Sequence, residues 1–94
     1  MRYAARVDSN HAAIVKALKK IGCKVVDLSR VGGGVPDLLV GYQGRWVVVE
    51  LKDGSRPACE RKLNPLQVAW HNEHSGLPVF VADSVEAAIK AVTG

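Results

Sequence analysis

The sequence has little cysteine. Cys23 and Cys59 are the only two, and they lie far apart. Such a pair builds neither a disulfide framework nor a zinc knuckle, and it suits a reducing compartment. No apolar run approaches the roughly 20 residues a membrane helix needs. The opening residues, Met1-Arg2-Tyr3-Ala4-Ala5-Arg6, lack the apolar stretch of a signal peptide. The expectation is a cytoplasmic chain with no membrane partner. Repeats, low-complexity tracts and linkers are also missing, so residues 1–94 read as a single domain. With 48% hydrophobic and 23% charged residues, wholesale disorder is excluded. A chain of this length buries only roughly 60 to 70% of its unfolded surface, and oligomerisation is an ordinary remedy for so thin a margin.

What is present is positive charge, unevenly spread. The net charge is +4. Residues 1–62 carry twelve Lys/Arg against six Asp/Glu, whereas residues 63–94 carry one against three. The first two thirds therefore offer the face for an anionic partner, with a merely solvated surface as the alternative.

Periodicity predicts a helix over about 9–21, capped by Ser9 or Asp8 and ended by Gly22, with Ile14, Ala17, Leu18 and Ile21 as its buried stripe. A short strand follows at 24–29, then the glycine-rich loop 31–35. Strand-like runs at 37–40 and 45–52 flank Gly41-Tyr42-Gln43-Gly44, a hairpin signal. A basic loop, 53–63, leads to a helix at about 65–74, with Asn64 as N-cap, Pro65 in the first helical position and Leu66, Ala69 and Trp70 as its apolar face. A fourth strand is expected at 79–82. Asp83-Ser84-Val85-Glu86 reads as a capping box for a last helix to about Val92. The order αβββαβα implies an α/β fold with a mixed four-stranded sheet and helices packed on it.

Acidic residues on strands are the anomaly, because such positions disfavour them. Asp37 opens one strand, and Glu50 lies inside the most apolar one. Alternation puts Glu50 and Lys52 on one face, with Val47, Val49 and Leu51 on the other, toward the core. If the hairpin loop is the two residues Gln43-Gly44, Tyr42 faces Arg45 and, counting outward, Asp37 faces Glu50, their Cβ atoms about 4.5–5.5 Å apart. Two opposed carboxylates need a proton, a lysine or a hard cation such as Mg²⁺ to be tolerable. A loop one residue longer would put them on opposite faces. The alternative to a metal site is a surface cluster that only adds solubility.

Pro36-Asp37, a twelve-residue spacer and Glu50-Leu51-Lys52 resemble the signature of the PD-(D/E)XK nucleases. The wider pattern, Gly34-Val35-Pro36-Asp37-Leu38-Leu39-Val40-Gly41, then Val49-Glu50-Leu51-Lys52-Asp53-Gly54, then Leu63-Asn64-Pro65-Leu66-Gln67, resembles the stand-alone virus-type replication-repair nuclease (VRR-NUC) domains, common in phages and prophages. The similarity runs from about Asp8 to the C-terminus. It implies a restriction-endonuclease-like αβββαβ core and Mg²⁺- or Mn²⁺-dependent hydrolysis of DNA phosphodiesters. Asp37, Glu50 and the Leu51 carbonyl would ligate metal, and Lys52 would position the attacking water. It also implies action on branched DNA, a four-way junction above all, by a homodimer, since two symmetric cuts call for two sites.

Gln67 matches the family's helix glutamine beside the active site, while Asn64-x-x-Gln67 also reads as a capping box; the two roles are compatible. Asp8 and Asn10 sit where the superfamily often supplies a further acidic residue, but a cap is the simpler role for Asp8. The glycines of the 32–34 loop, Gly33 and Gly34 among them, could let backbone approach a DNA phosphate. They match neither the Walker A pattern nor GxGxxG, so no nucleotide cofactor is expected. Arg56, Arg61 and Lys62 flank the site and would grip phosphates, with Arg30 and Arg45 weaker candidates. His71 and His74 have no further zinc-spaced partner. Trp46 and Trp70 suit base stacking, or core or dimer packing. Cys59 has no histidine that the sequence can pair with it. A non-catalytic branched-DNA-binding module, a flap- or nick-directed nuclease of the same fold and a partner-binding subunit of a phage replication complex are the competing readings.

Overall fold

A computed structural model describes residues 10–94. Four strands, β1 (Lys24–Asp27), β2 (Leu38–Tyr42), β3 (Arg45–Leu51) and β4 (Val79–Ala82), form one sheet in the order β1-β2-β3-β4. The first three pair antiparallel, and β4 runs parallel to β3. A parallel partner requires a crossover, and α2 (Pro65–Glu73) lies within it. Gln43 and Gly44 both have positive φ, 46° and 84°, as a two-residue type I′ turn demands. That turn sets Tyr42 opposite Arg45 and Leu38 opposite Val49. The two-residue loop expected from the sequence is the one formed.

Strand alternation separates two faces. Leu38, Val40, Val47, Val49 and Leu51 are buried on one. Helices α1 (His11–Lys20) and α3 (Val85–Thr93) cover that face with Ile14, Leu18, Ala88 and Val92. The opposite face carries Val26, Trp46 and Val81, which are exposed, and Glu50, which is not. Glu50 is covered by α2 through Gln67.

Four expectations are corrected in detail. Helix α1 starts at His11, and Asn10 holds its N-cap position without a side-chain capping bond; Ser9 and Asp8 lie outside the described residues. Ile21 falls beyond the last helical turn and is exposed, because the Gly22 turn (φ 99°) swings the chain away from the core. The cap of α3 is Ser84, whose Oγ accepts from the Ala87 N–H, one residue later than expected. Asp83 is drawn off to pair with Arg61. Most consequentially, α2 buries no residue, and Leu66 is 63% exposed. Its sheet-facing side is polar, because what it covers is Glu50 and Lys52 rather than apolar core. Among the described residues, no helix is long and apolar enough to cross a membrane.

The glycine loop has a packing role. A Cβ on Gly34 would lie 2.2 Å from the Leu66 carbonyl oxygen, and φ there is +85°. Only glycine lets this loop close on the first turn of α2. Gly34→Ala should therefore lower stability by about 1 kcal/mol or more, measured as a shift in the urea midpoint. Gly33→Ala, strained by φ but with no atom within 4 Å of its Cβ, should cost less.

Candidate active site

The site is built where β2 enters the sheet and β3 leaves it. The Leu38–Val49 pair is the last of the β2–β3 ladder, and the next pair outward is Asp37 and Glu50. Asp37 is held twice: its carbonyl accepts the Leu28 N–H at 2.7 Å, and its Oδ2 accepts the Leu51 N–H at 2.8 Å. The carboxylate thus sits against the β3 backbone beside Glu50.

Glu50 is 3% exposed. A buried carboxylate requires hydrogen bonds and opposite charge. Gln67 Nε2 donates to Glu50 Oε2 at 3.1 Å, and Lys52 Nζ lies 3.8 Å from the same oxygen. Lys52 Nζ in turn donates to Gln67 Oε1 at 3.0 Å. The same Oε1 accepts the Asn64 N–H at 2.9 Å, while Asn64 Oδ1 accepts the Gln67 N–H. Gln67 therefore closes the capping box and bridges the acid and the lysine with one amide.

The backbone of Lys52 is also fixed. Its N–H donates to Ala82 O, and its carbonyl accepts from Asn10 Nδ2 at 2.9 Å. Asn10 Nδ2 also reaches Asp83 O at 3.2 Å. Asn10 thus turns an amide donor toward the strand ends, a role that sequence reading missed. A polar residue at the N-cap position was the only signal of it.

The remaining candidates divide. Arg56 pairs with Asp53 and Glu60, and Arg61 with Asp83 at 3.1 Å. Lys62 is exposed in the same loop. Arg45 donates to the Ala91 and Val92 carbonyls, which caps the end of α3. His11 meets Asp27 at 3.4 Å. His74 Nδ1 donates to Trp70 O at 2.7 Å, and its ring stacks on the Trp70 ring with centroids 3.7 Å apart. His71 Nε2 is buried with no hydrogen-bond partner among the described residues. Cys59 is exposed and Cys23 buried.

Among the described residues no three His, Cys, Asp or Glu side chains gather as a metal cluster. The donor set is two carboxylates and backbone carbonyl oxygen. Such hard oxygen donors fit a cation of the Mg²⁺ kind, which keeps several waters and needs few protein ligands.

A hairpin that presents two acids and a lysine on one sheet face, closed by a helix glutamine, defines a carboxylate–lysine site on a mixed α/β sheet. Neither the family models nor the curated proteins compared with the sequence give a match. A solved structure described as a VRR_NUC domain matches with a TM-score of 0.62 at 31% sequence identity, over 86% of this chain and 91% of that one. At that identity and coverage the chain belongs to the VRR-NUC domain family. Membership implies a nuclease-like hydrolase.

Burial, then the nearby charges of Lys52 and His74, hold the His71 imidazole below its ordinary value of 6.5. The unfolded chain therefore binds a proton at His71 that the folded chain resists. Stability from this residue is present above about pH 6.5 and is lost as pH falls through the folded value. Asp27, lowered chiefly by its bonds from Ser29, acts in the same direction only below its ordinary 3.8. The urea midpoint should fall between pH 7.5 and pH 5.5 in the wild type and fall less in His71→Gln. Equal falls in both would show that the imidazole is solvated.

A second expectation concerns Gln67. Gln67→Ala opens the capping box and removes a donor from buried Glu50, and should cost about 2 kcal/mol in urea unfolding.

Proposed function

We propose that residues 1–94 act as one metal-dependent, structure-selective DNA endonuclease, hydrolysing phosphodiester bonds in the manner of a Holliday-junction resolvase in a bacterial or phage-infected cytoplasm. The observation that carries the reading is the convergence of Asp37, Glu50, Lys52 and Gln67 at one end of the β2–β3 hairpin.

Asp37, Glu50 and the Leu51 carbonyl would hold Mg²⁺ or Mn²⁺. Such an ion, when bound, acidifies a water and polarises a phosphoryl oxygen. The chain's own contribution is positioning and charge. Lys52 is held by Gln67 with its ammonium beside Glu50, where it orients the attacking water and offsets charge that builds on the phosphate oxygens. Because the amide fixes the amine beforehand, no reorganisation is required when the phosphate arrives. Arg56, Arg61, Lys62 and the backbone at exposed Gly33 and half-buried Gly34 would guide the DNA strand. The pairs of Arg56 with Glu60 and of Arg61 with Asp83 are to exposed acids, so a phosphate competes with them at small cost. A four-way junction is two-fold symmetric, which calls for paired copies working as a homodimer.

The test is cleavage of labelled four-way junction, flap, nicked and plain duplex DNA with Mg²⁺, Mn²⁺ or EDTA. Paired, metal-dependent cuts on the junction are expected. Lys52→Ala should lower the rate about 100-fold or more with junction affinity within a few-fold. Unimpaired cutting by an Asp37→Asn, Glu50→Gln double variant would refute the site. Tight junction binding without cutting by the wild type would make the chain a binding module.

A further inference from the structure

Trp46 has no part in the site just described, yet it lies on the same sheet face. Trp46, Val48 and Glu50 alternate along β3 and point the same way. Trp46 is 54% exposed, a costly position for so large an apolar surface. Its ring does not stand free. It rests on Gly41, its cross-strand partner, where an added Cβ would lie 3.0–3.2 Å from three ring atoms. Gly41 also pairs with Lys24 on β1. The row Lys24–Gly41–Trp46 therefore places an exposed lysine beside a flat, supported indole. The acids of this face lie at its far end: Glu50, which is covered, and Asp37, just before β2, whose Oδ2 accepts the Leu51 N–H.

We infer that Trp46 is a stacking platform for an unpaired nucleobase of the substrate, with Lys24 contacting the adjacent phosphate. This rests on the nuclease reading and narrows its substrate to DNA with unpaired or frayed nucleotides near the cut. A duplex offers a protein only base edges; an indole face can stack only on a base that has left the helix. Stacking of this kind tolerates any sequence. Trp46 lies four residues from Glu50, about 13 Å along the strand, or about four nucleotides at the 3.4 Å rise of a B-form strand. The lysine in the row, and the continuity of the face with Glu50, favour a polyanion over a second copy of the chain.

The experiment measures binding by anisotropy in EDTA, so that cleavage plays no part, using a labelled single-stranded oligonucleotide, the same strand carrying abasic residues, and a blunt duplex. Trp46→Ala should weaken single-strand binding about 5- to 100-fold and leave duplex binding within two-fold. Trp46→Tyr should restore most of the loss. Gly41→Val, which lifts the ring from its seat, should act like Trp46→Ala. Lys24→Ala should reduce the slope of log affinity on log salt by about 0.7. The abasic strand should bind wild type and Trp46→Ala alike. Equal single-strand affinity of wild type and Trp46→Ala overturns the platform. So does a change from dimer to monomer in Trp46→Ala by light scattering with affinity unchanged, which would make the face an interface between copies. A wild type that cuts DNA while these variants behave normally removes only this inference; a wild type that neither binds nor cuts removes the nuclease reading as well.

Discussion

The side-chain amide of Gln67 is the interaction on which the rest of the site depends. Its oxygen accepts from the Asn64 N–H and from Lys52 Nζ, and its nitrogen donates to Glu50. A side-chain amide offers an acceptor for the ammonium and a donor for the carboxylate while adding no charge of its own. A carboxylate in its place would repel Glu50, and an apolar side chain would leave a nearly buried charge poorly compensated. Because the same oxygen closes the capping box, the start of α2 and the alignment of Lys52 with Glu50 are one structural event.

The sheet makes this possible by keeping its faces apart. Along β3, Val47, Val49 and Leu51 enter the core while Glu50 and the start of Lys52 face the other way. A one-residue slip would drive the acid into the core and the valines out. The I′ turn at Gln43-Gly44 fixes the register, and the core face enforces it. Asp37 is then anchored by main-chain partners on both sides, Leu28 and Leu51. Fold and site are therefore specified by the same alternation.

Much of this was legible in the sequence, for physical reasons. The hairpin register followed from a two-residue loop and period-two burial, and the opposed acids followed from the register. Asn64, Pro65 and Gln67 announced the start of α2. What was not legible came from contacts between elements distant in sequence. Leu66, Ala69 and Trp70 form an apolar stripe that points to a core-facing α2, but the helix buries none of them. The surface awaiting the helix is an acid and a lysine, and polar partners determined the face it presents. Asn10 read only as a position where a site residue could stand, because nothing local reveals that the ends of β3 and β4 offer two carbonyls to its amide. The glycine loop suggested phosphate approach, and nothing local revealed that Gly34 also packs on the Leu66 carbonyl.

These observations bear on how α2 is held. A helix on a sheet is ordinarily retained by its apolar stripe, but α2 buries no residue, and Leu66 and Val68 are exposed. What remains is largely polar: the Gln67 bonds to Glu50 and Lys52 and the backbone contact at Gly34, beside the half-buried Trp70 and His71 rings. Each such bond is worth only about 1 to 3 kcal/mol, far less than a buried stripe supplies. The helix that completes the site is thus attached largely through the site. Loosening Glu50 or Lys52 loosens α2, and loosening α2 removes the amide that aligns them. The core face, with α1 and α3 packed on apolar strands, stands outside that loop of dependence. The fold can therefore persist when the site is altered, because the residues that hold the sheet together and those that hold α2 lie on opposite faces of the same strands.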